Sequence, residues 1–577
     1  MDHIGNFERR CSTELAAPKV LPRKFWSRQS WFGQIAFDPT MKPSSVILLL
    51  MVAIAPIAFA DPFLLRDGEV VAFAGGTDMV RMQRQAKFEA ALTKKNAAAK
   101  PKFRDLAWDG DTVYFQSTVR ERWRKEAFGG WEEQLKRVGA TTVISQFGKM
   151  ESLRGPEGLD DFTEAYAKLL DKFRENKRRV ILLAPEQFEW AAADANHLPA
   201  YTKAVEQLAK RYGLPFVAGD PVEAVGVRTS DQLIAAVREK HRLWYNYWRP
   251  ANWKCLYGDD GKRIFANAAE GLPSFEEEWK TFPDIVAQAE SQIFADKAVV
   301  PRTAPERTGS EEASIAEELH SFDVDDDYEV TLFADETHGI ANPLSVRWGI
   351  DGTMYVACSD VYPQIEPGVL PNDKVMALRD ENRDGTCDQS SVFASGLSIP
   401  TGMEVSHHGI LVGHNTELVQ FDWDGNRQVL LSGFGNGDSH QTINGFAWSP
   451  GGELWMCQGD GIESRVETPF GVSGLFMSGT MRLRPETLEL HGFLDGHMGP
   501  GNPWGIIFDD FGQAFVCDGA GGISHMTPGT VPTKRRKRLD QIGKPGGYCG
   551  IECLDNGEFL LGDYTKNQVS RFVVEED

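Results

Sequence analysis

The sequence predicts two domains in series, a parallel α/β domain followed by an all-β propeller. Three observations predict it. Between residue 61 and about residue 250, short apolar runs alternate with amphipathic stretches of helical period, the pattern of a parallel sheet covered on both faces. From Tyr328 onward the texture changes to short strands divided by Gly and Asp turns. Five of these later segments share one pattern, with starting points 44 to 59 residues apart, a period that marks propeller blades.

The first half is organised around Phe73-Ala74-Gly75-Gly76-Thr77-Asp78. Val70–Phe73 is apolar without helical period and reads as a buried strand, and the two glycines let the chain turn sharply without a Cβ penalty. Met79–Leu92 reads as one helix. A strand, a tight turn and a helix place Thr77 and Asp78 at the carboxyl edge of a parallel sheet, where open α/β folds keep their sites. Further strands are expected at Phe103–Trp108, Thr141–Phe147, Arg179–Leu183 and Leu214–Ala218. Helices are expected at Trp131–Val138, Asp161–Arg174 and Tyr201–Tyr212, the last stopped by Gly213. The aromatic run Tyr245–Trp253 suits either packing onto the sheet or a sugar-stacking platform.

Residues 298–324, rich in Pro, Glu and Ser at their start, read as a linker between domains at 61–297 and 325–577. The five repeats begin near Asn342, Ile399, Ile443, Asn502 and Cys549, and each is a strand, a Gly-containing turn and a second strand. Cys358, Cys457 and Cys517 fall at matching places on second strands, which makes them separate core positions rather than disulfide partners. Asp380, Asn382, Asp384 and Asp388 fit D-x-[DN]-x-D-G-x-x-D around Gly385. Alternating oxygen ligands suit a hard cation such as Ca²⁺, but no Glu closes the loop as in an EF-hand, and an acidic β-turn is the other reading.

Lys plus Arg number 61 and Asp plus Glu 83, and the net charge of −22 argues against nucleic acid as a partner. Met41-Lys42, the apolar run Val46–Phe59 and Ala58-Phe59-Ala60 form a secretory signal at 41–60, cleaved after Ala60. The expected destination is periplasmic or cell-surface, with no membrane span after cleavage. Residues 1–40 have no periodic pattern and are expected to precede the true start at Met41. No C-x-x-C-H occurs, so no covalent haem is expected in this chain. Cys549 and Cys553 are too few for a zinc site by themselves. Lys534–Arg538 reads as a solvated loop.

The motif order over 61–250 resembles the SGNH, or GDSL-like, hydrolases. The resemblance implies a flavodoxin-like α/β/α sandwich that cleaves esters of sugars and lipids. Its nucleophilic turn corresponds to Gly75-Gly76-Thr77, its oxyanion-hole Gly to Gly110, its G-x-N-D/E block to Gly148-Lys149-Met150-Glu151, and its Asp-x-x-His block to Ser230-Asp231-Gln232-Leu233-Ile234. Met150 stands where an Asn donor belongs and Ile234 where the His base belongs. A hydroxyl without a base is a weak nucleophile, and one lost oxyanion donor costs on the order of 10²–10³ in rate. Asp78 or Glu151 would have to serve as an unconventional base.

Residues 320–577 resemble soluble quinoprotein glucose/sorbosone dehydrogenases, and especially the membrane-bound dehydrogenase domain of planctomycetes and verrucomicrobia. That resemblance implies a six-bladed propeller, a His base at His440 and pyrroloquinoline quinone (PQQ) near Asn502, with a c-type cytochrome as electron partner. Gly501 replaces the Arg that precedes Asn502-Pro503 in the family pattern, which argues against bound quinone. The expectation is an exported binding or scaffold protein for carbohydrate; the alternative is an esterase using Thr77 or a sugar dehydrogenase using His440. Five repeats against six blades further predict an open, shortened propeller.

Overall fold

The computed structural model describes residues 61–114, 122–189, 197–257, 274–303, 314–326, 328–493, 500–519, 521–526, 541–542 and 546–573. The signal segment, the residues before it, the middle of the linker and Lys534–Arg538 lie outside the described residues. Five parallel strands open the chain: Val70–Gly75 (β1), Lys102–Asp105 (β2), Thr142–Gln146 (β3), Arg179–Leu183 (β4) and Phe216–Val217 (β5). Their order in the sheet is β2-β1-β3-β4-β5, the flavodoxin-like order.

Helices cover the sheet. They are Thr77–Gln85 (α1), Lys87–Lys95 (α2), Arg122–Phe128 (α3), Trp131–Arg137 (α4), Leu159–Arg174 (α5), Leu198–Tyr212 (α6), Pro221–Val225 (α7) and Asp231–Trp248 (α8). Trp253–Tyr257 (α9), Phe275–Trp279 (α10), Phe282–Phe294 (α11) and Ile315–Ser321 (α12) follow. Phe162, Tyr166, Leu170 and Phe173 recur at helical spacing on α5 and pack with Ala72, Val143 and Leu182. Phe73, Ile144 and Ile181 point the other way, onto Phe63, Phe88 and Phe103. Adjacent strand residues thus feed opposite layers, as the two-residue strand period requires.

The expected single helix after the Gly turn is two. Ala86 takes the left-handed conformation at φ 63° and ends α1, its N–H donating to Met82 O and Gln83 O. That conformation costs an alanine roughly 1–2 kcal/mol. It is offset by close packing, for Ala86 is fully buried with Ala90 against Ala236 and Val237 of α8. The aromatic run, which begins in the last turn of α8, packs rather than presents a platform. Trp244, Trp248 and Trp253 are buried, and Trp253 meets Phe128 edge-on at 5.5 Å.

The second domain is a propeller-like series of small antiparallel sheets. The first comprises Pro343–Trp348, Met354–Cys358, Asp373–Arg379 and Gln389–Leu397 (β6–β9), the second Pro400–Ser406, Gly409–His414, Glu417–Phe421 and Arg427–Ser432 (β10–β13). The third joins Asn444–Trp448 (β14), Leu454–Gln458 (β15), Gly479–Arg484 (β18) and Glu489–Phe493 (β19). A separate hairpin, Glu463–Thr468 (β16) and Gly471–Phe476 (β17), is inserted between β15 and β18. The fourth comprises Pro503–Phe508, Ala514–Asp518, Ile523–Met526 and Gln541–Ile542 (β20–β23); the fifth Tyr548–Cys553, Phe559–Asp563 and Gln568–Phe572 (β24–β26). The five sequence repeats are the first hairpins of these sheets. First strands pack side by side in the order β6, β10, β14, β20, β24. Among the described residues no strand of the first sheet pairs with one of the last, and Val346 and Trp348 of β6 are exposed. Cys358, Cys457 and Cys517 are buried, free thiols.

Candidate functional site

β1 delivers the chain to Gly75-Gly76 at the point where the strand order reverses between β1 and β3, the crevice position of this sheet class. Neither glycine has a positive φ; their absent side chains make room. A Cβ on Gly75 would lie 2.8 Å from Gln146 O, and one on Gly76 2.6 Å from Asp111 O and 2.9 Å from Glu467 Oε1. The last contact comes from the other domain. β16 carries Arg465 and Glu467 into the carboxyl edge of the sheet, and Arg465 donates twice to Gly110 O, at 2.9 and 3.2 Å.

The structure brings Thr77, Asp78, Gly110 and Gly148 to this edge, and the N–H groups of Thr77, Gly110 and Gly148 are already engaged. Thr77 N–H donates to Glu467 Oε1 at 3.1 Å. Gly110 N–H donates to Thr77 Oγ at 3.0 Å. Gly148 N–H donates to Glu151 Oε2 at 2.9 Å, and Glu151 Oε1 accepts Val113 N–H. A cavity of about 20 Å³ remains between Gly76, Asp78, Gly148, Met150 and Glu467. That is room for one water molecule.

The charges around it form a closed set. Asp78 Oδ1 accepts Lys149 Nζ at 2.7 Å and Arg81 Nη2 at 3.1 Å, and Arg81 reaches on to Glu186. Asp111 holds Arg124 through two bonds of 2.6 and 2.7 Å, with the guanidinium 3.9 Å above the Trp108 ring. Burial away from water, reinforced by the neighbouring Asp78 charge, pushes Glu467 up to about 8. Burial likewise raises Glu151. At about 8, Glu467 is mostly protonated at neutral pH and has little free base to offer.

Asp231 is not part of this group. It is exposed at the start of α8, where Ser230 Oγ caps the helix by accepting Leu233 N–H. Ile234 packs in the cluster of Ala86 and Ala90, at the opposite end of α1 from Thr77. Asp105 and His241 form a buried pair at 3.1 Å, but Asp105 also holds Arg249 and accepts Ala107 N–H, so the pair ties α8 to β2.

His440 and Asn502 are brought near one another on the propeller side of the same seam. Asn502 Oδ1 accepts Gln441 Nε2 at 2.6 Å, and His440 Nδ1 lies 3.3 Å from Asp438, with its ring 5.1 Å from that of Tyr362. The α/β domain covers this face. Asn252 accepts Ser439 N–H at 2.6 Å and donates to Pro363 O; Lys254 N–H donates to Gly437 O; Arg84 pairs with Glu417.

In the acidic loop, Asp380, Asn382, Asp384 and Asp388 share one turn, and their oxygens accept the loop's own amides. Asp380 takes Arg383, Asp384 and Gly385 N–H; Asp388 takes Glu381 and Asn382 N–H. Among the described residues no three His, Cys, Asp or Glu side chains form a metal-binding group.

Sequence reasoning missed Arg465, Glu467 and Lys149 as site residues. The signal available was spacing: the third repeat is the longest, and its extra residues are the β16–β17 hairpin.

With the geometry in place, the class is an α/β domain whose sheet edge is occupied by a hairpin from a propeller-like partner domain. A family described as a domain of unknown function, DUF7133, matches residues 314–542. No curated protein matches the chain. Among solved structures, a protein described as a gluconolactonase is similar at 15% identity, over 41% of this chain and 79% of its own, with a TM-score of 0.27. An acetylxylan esterase of Geobacillus stearothermophilus is similar at 16% identity, over 26% of this chain and 77% of its own, with a TM-score of 0.21. An α/β hydrolase from the metagenome of Lake Arreo is similar at 13% identity, over 30% and 86%, with a TM-score of 0.22.

Proposed function

We propose that this chain is an exported carbohydrate-binding or scaffold protein whose hydrolase-type site is sealed by its own propeller-like domain. One observation carries the reading. Glu467 lies beside Thr77, takes the Thr77 N–H, and leaves a cavity of about 20 Å³. An oxyanion hole works by donors that wait unsatisfied for developing charge. Here the Thr77, Gly110 and Gly148 N–H groups all have partners within the chain. No described His bonds to Thr77 Oγ, so the proton would have no ordinary acceptor. A dehydrogenase reading draws no support from His440, whose face of the propeller is covered by the α/β domain. No helix among the described residues is long and apolar enough to cross a membrane.

The test assays the purified chain against acetyl esters, and against sugars with PQQ and a dye acceptor. Turnover is expected to match that of Thr77→Ala and His440→Ala. A Thr77→Ser, Glu467→Ala double variant, which restores the usual nucleophile and removes the plug, is expected to stay inactive for want of a base. Robust esterase activity abolished by Thr77→Ala would overturn the proposal.

A further inference from the structure

The propeller-like domain carries a second concavity, remote from the seam. It is a groove of about 860 Å³ formed by the β6–β7, β10–β11 and β14–β15 turns. That volume falls within the roughly 300–1,000 Å³ usual for small-ligand sites. The α/β domain reaches Thr416 at the far end of β11, whereas His407 and His408 lie at its near end, so six strand residues separate the two places. At about 3.3 Å per residue this is roughly 20 Å.

The lining combines ring faces with hydroxyl-matching groups. Tyr355, Phe393 and Trp423 form one aromatic cluster with centroids 5.4 to 6.3 Å apart, and Trp423 is 49% exposed. The Trp423 indole N–H is already used by His407 O, so what the residue offers a ligand is its ring. Around the cluster, Gln420 Nε2 donates to His408 O, leaving Oε1 with no donor among the described residues. Arg379 gives Asp351 one of its five N–H groups. The His407 and His408 imidazoles have no described side-chain partner and are exposed. Donors and acceptors in near-equal supply, beside an exposed ring, match a ligand whose hydroxyls do both and whose C–H face is apolar. The charged lining is Arg379 against Asp351 and Glu486, on a chain of net charge −22, which disfavours a polyanion.

We propose that this groove is a binding site for a neutral oligosaccharide, with a sugar ring stacked on Trp423 and its hydroxyls met by Gln420 and Arg379. The inference rests on the carbohydrate-binding reading above and adds the place and the ligand charge. The test screens the full chain on an array of neutral and acidic oligosaccharides, then measures the best neutral one by calorimetry with Trp423→Ala and Gln420→Ala. Far-UV circular dichroism checks that both fold; Gln420→Ala is a surface change and keeps the test sound if Trp423→Ala does not. The expected result is a neutral ligand whose Kd rises at least about tenfold in Trp423→Ala and severalfold in Gln420→Ala. A neutral saccharide bound equally well by both variants would overturn the site while leaving the broader reading intact. Preference for acidic glycans would overturn the ligand class. No binding on the array would overturn both.

Discussion

The carboxyl edge of the α/β sheet and the turn-side groove of the propeller-like domain are both concave, and they differ in what satisfies their polar groups. At the sheet edge the Thr77, Gly110 and Gly148 N–H groups have partners within the chain, and Arg465 and Glu467 reach into the edge. In the groove, among the described residues, Gln420 Oε1 and the His407 and His408 imidazoles have no partner beside an exposed Trp423. A catalytic or binding site holds its donors in reserve for a ligand. On the reading proposed above, the sheet edge joins two domains and the groove is the place for a ligand.

The sharpest way to break this comparison is to force the seam apart. Gly110 and Gly139 have nearly the same left-handed backbone, at φ +69° and +67°. A Cβ on Gly139 meets nothing within 4 Å, whereas one on Gly110 would lie 2.5 Å from Arg465 O. Gly139→Ala should therefore cost only conformational strain, about 1–2 kcal/mol. Gly110→Ala adds overpacking of about 1–3 kcal/mol, giving a total of roughly 2–5 kcal/mol by denaturant unfolding. Equal losses in the two variants would mean that the domains are not packed tightly at this turn.

The next effect is a pH dependence. Glu467 is raised to about 8 in the folded chain by burial and by Asp78, against an ordinary value of 4.5. Between those values the folded chain holds a proton that the unfolded chain has released. Stability from this group is therefore full below about 4.5 and falls as pH rises to about 8. The slope from one proton is at most about 1.4 kcal/mol per pH unit. Glu467→Gln, which stays neutral, should be less sensitive over pH 5–8 than the parent, with the curves diverging toward pH 8. Parallel curves would show that the carboxyl is ionised in the fold, beside Lys149.

How far this was legible in the sequence depends on the range of the interaction. Strand and repeat patterns are local, so the alternation before residue 250 and the five hairpins were readable, whereas the bond between Gly110 and Thr77 was anticipated only through the family resemblance. The break at Ala86 was not, since no Gly or Pro marks it and only the fit against α8 stabilises it. Glu467 lies 390 positions from Thr77, and in sequence it is one acidic residue of a surface-like hairpin. Its role arises only when two domains dock. Asp231 was matched by resemblance to the Asp of an Asp-x-x-His block, yet it starts α8 at the far end of α1, where Ile234 packs on Ala86 and Ala90.

The smallest expected effect concerns the acidic loop, which lies apart from both the seam and the groove. We propose that Asp380, Asn382, Asp384 and Asp388 take Ca²⁺ weakly. The loop already has its Asx turns, with Gly385 in a left-handed conformation at φ +88°. The Asp380 carboxylate accepts three amides. A carboxylate offers about four lone-pair sites, so little capacity is left for a cation. Affinity should then fall in the weak range of about 10⁻⁴–10⁻³ M seen for exposed extracellular sites. At tenfold excess over such a Kd the gain is about 1.4 kcal/mol, read as a rise of a few degrees in Tm. Asp384→Ala should abolish that rise, and Mg²⁺, which demands a stricter octahedron and holds its waters, should give less. A Tm that Ca²⁺ leaves unmoved would mean that these side chains serve the loop's own amides alone. The loop's carboxylates, like Glu151 and Glu467 at the sheet edge, would then be held by the chain's own amides.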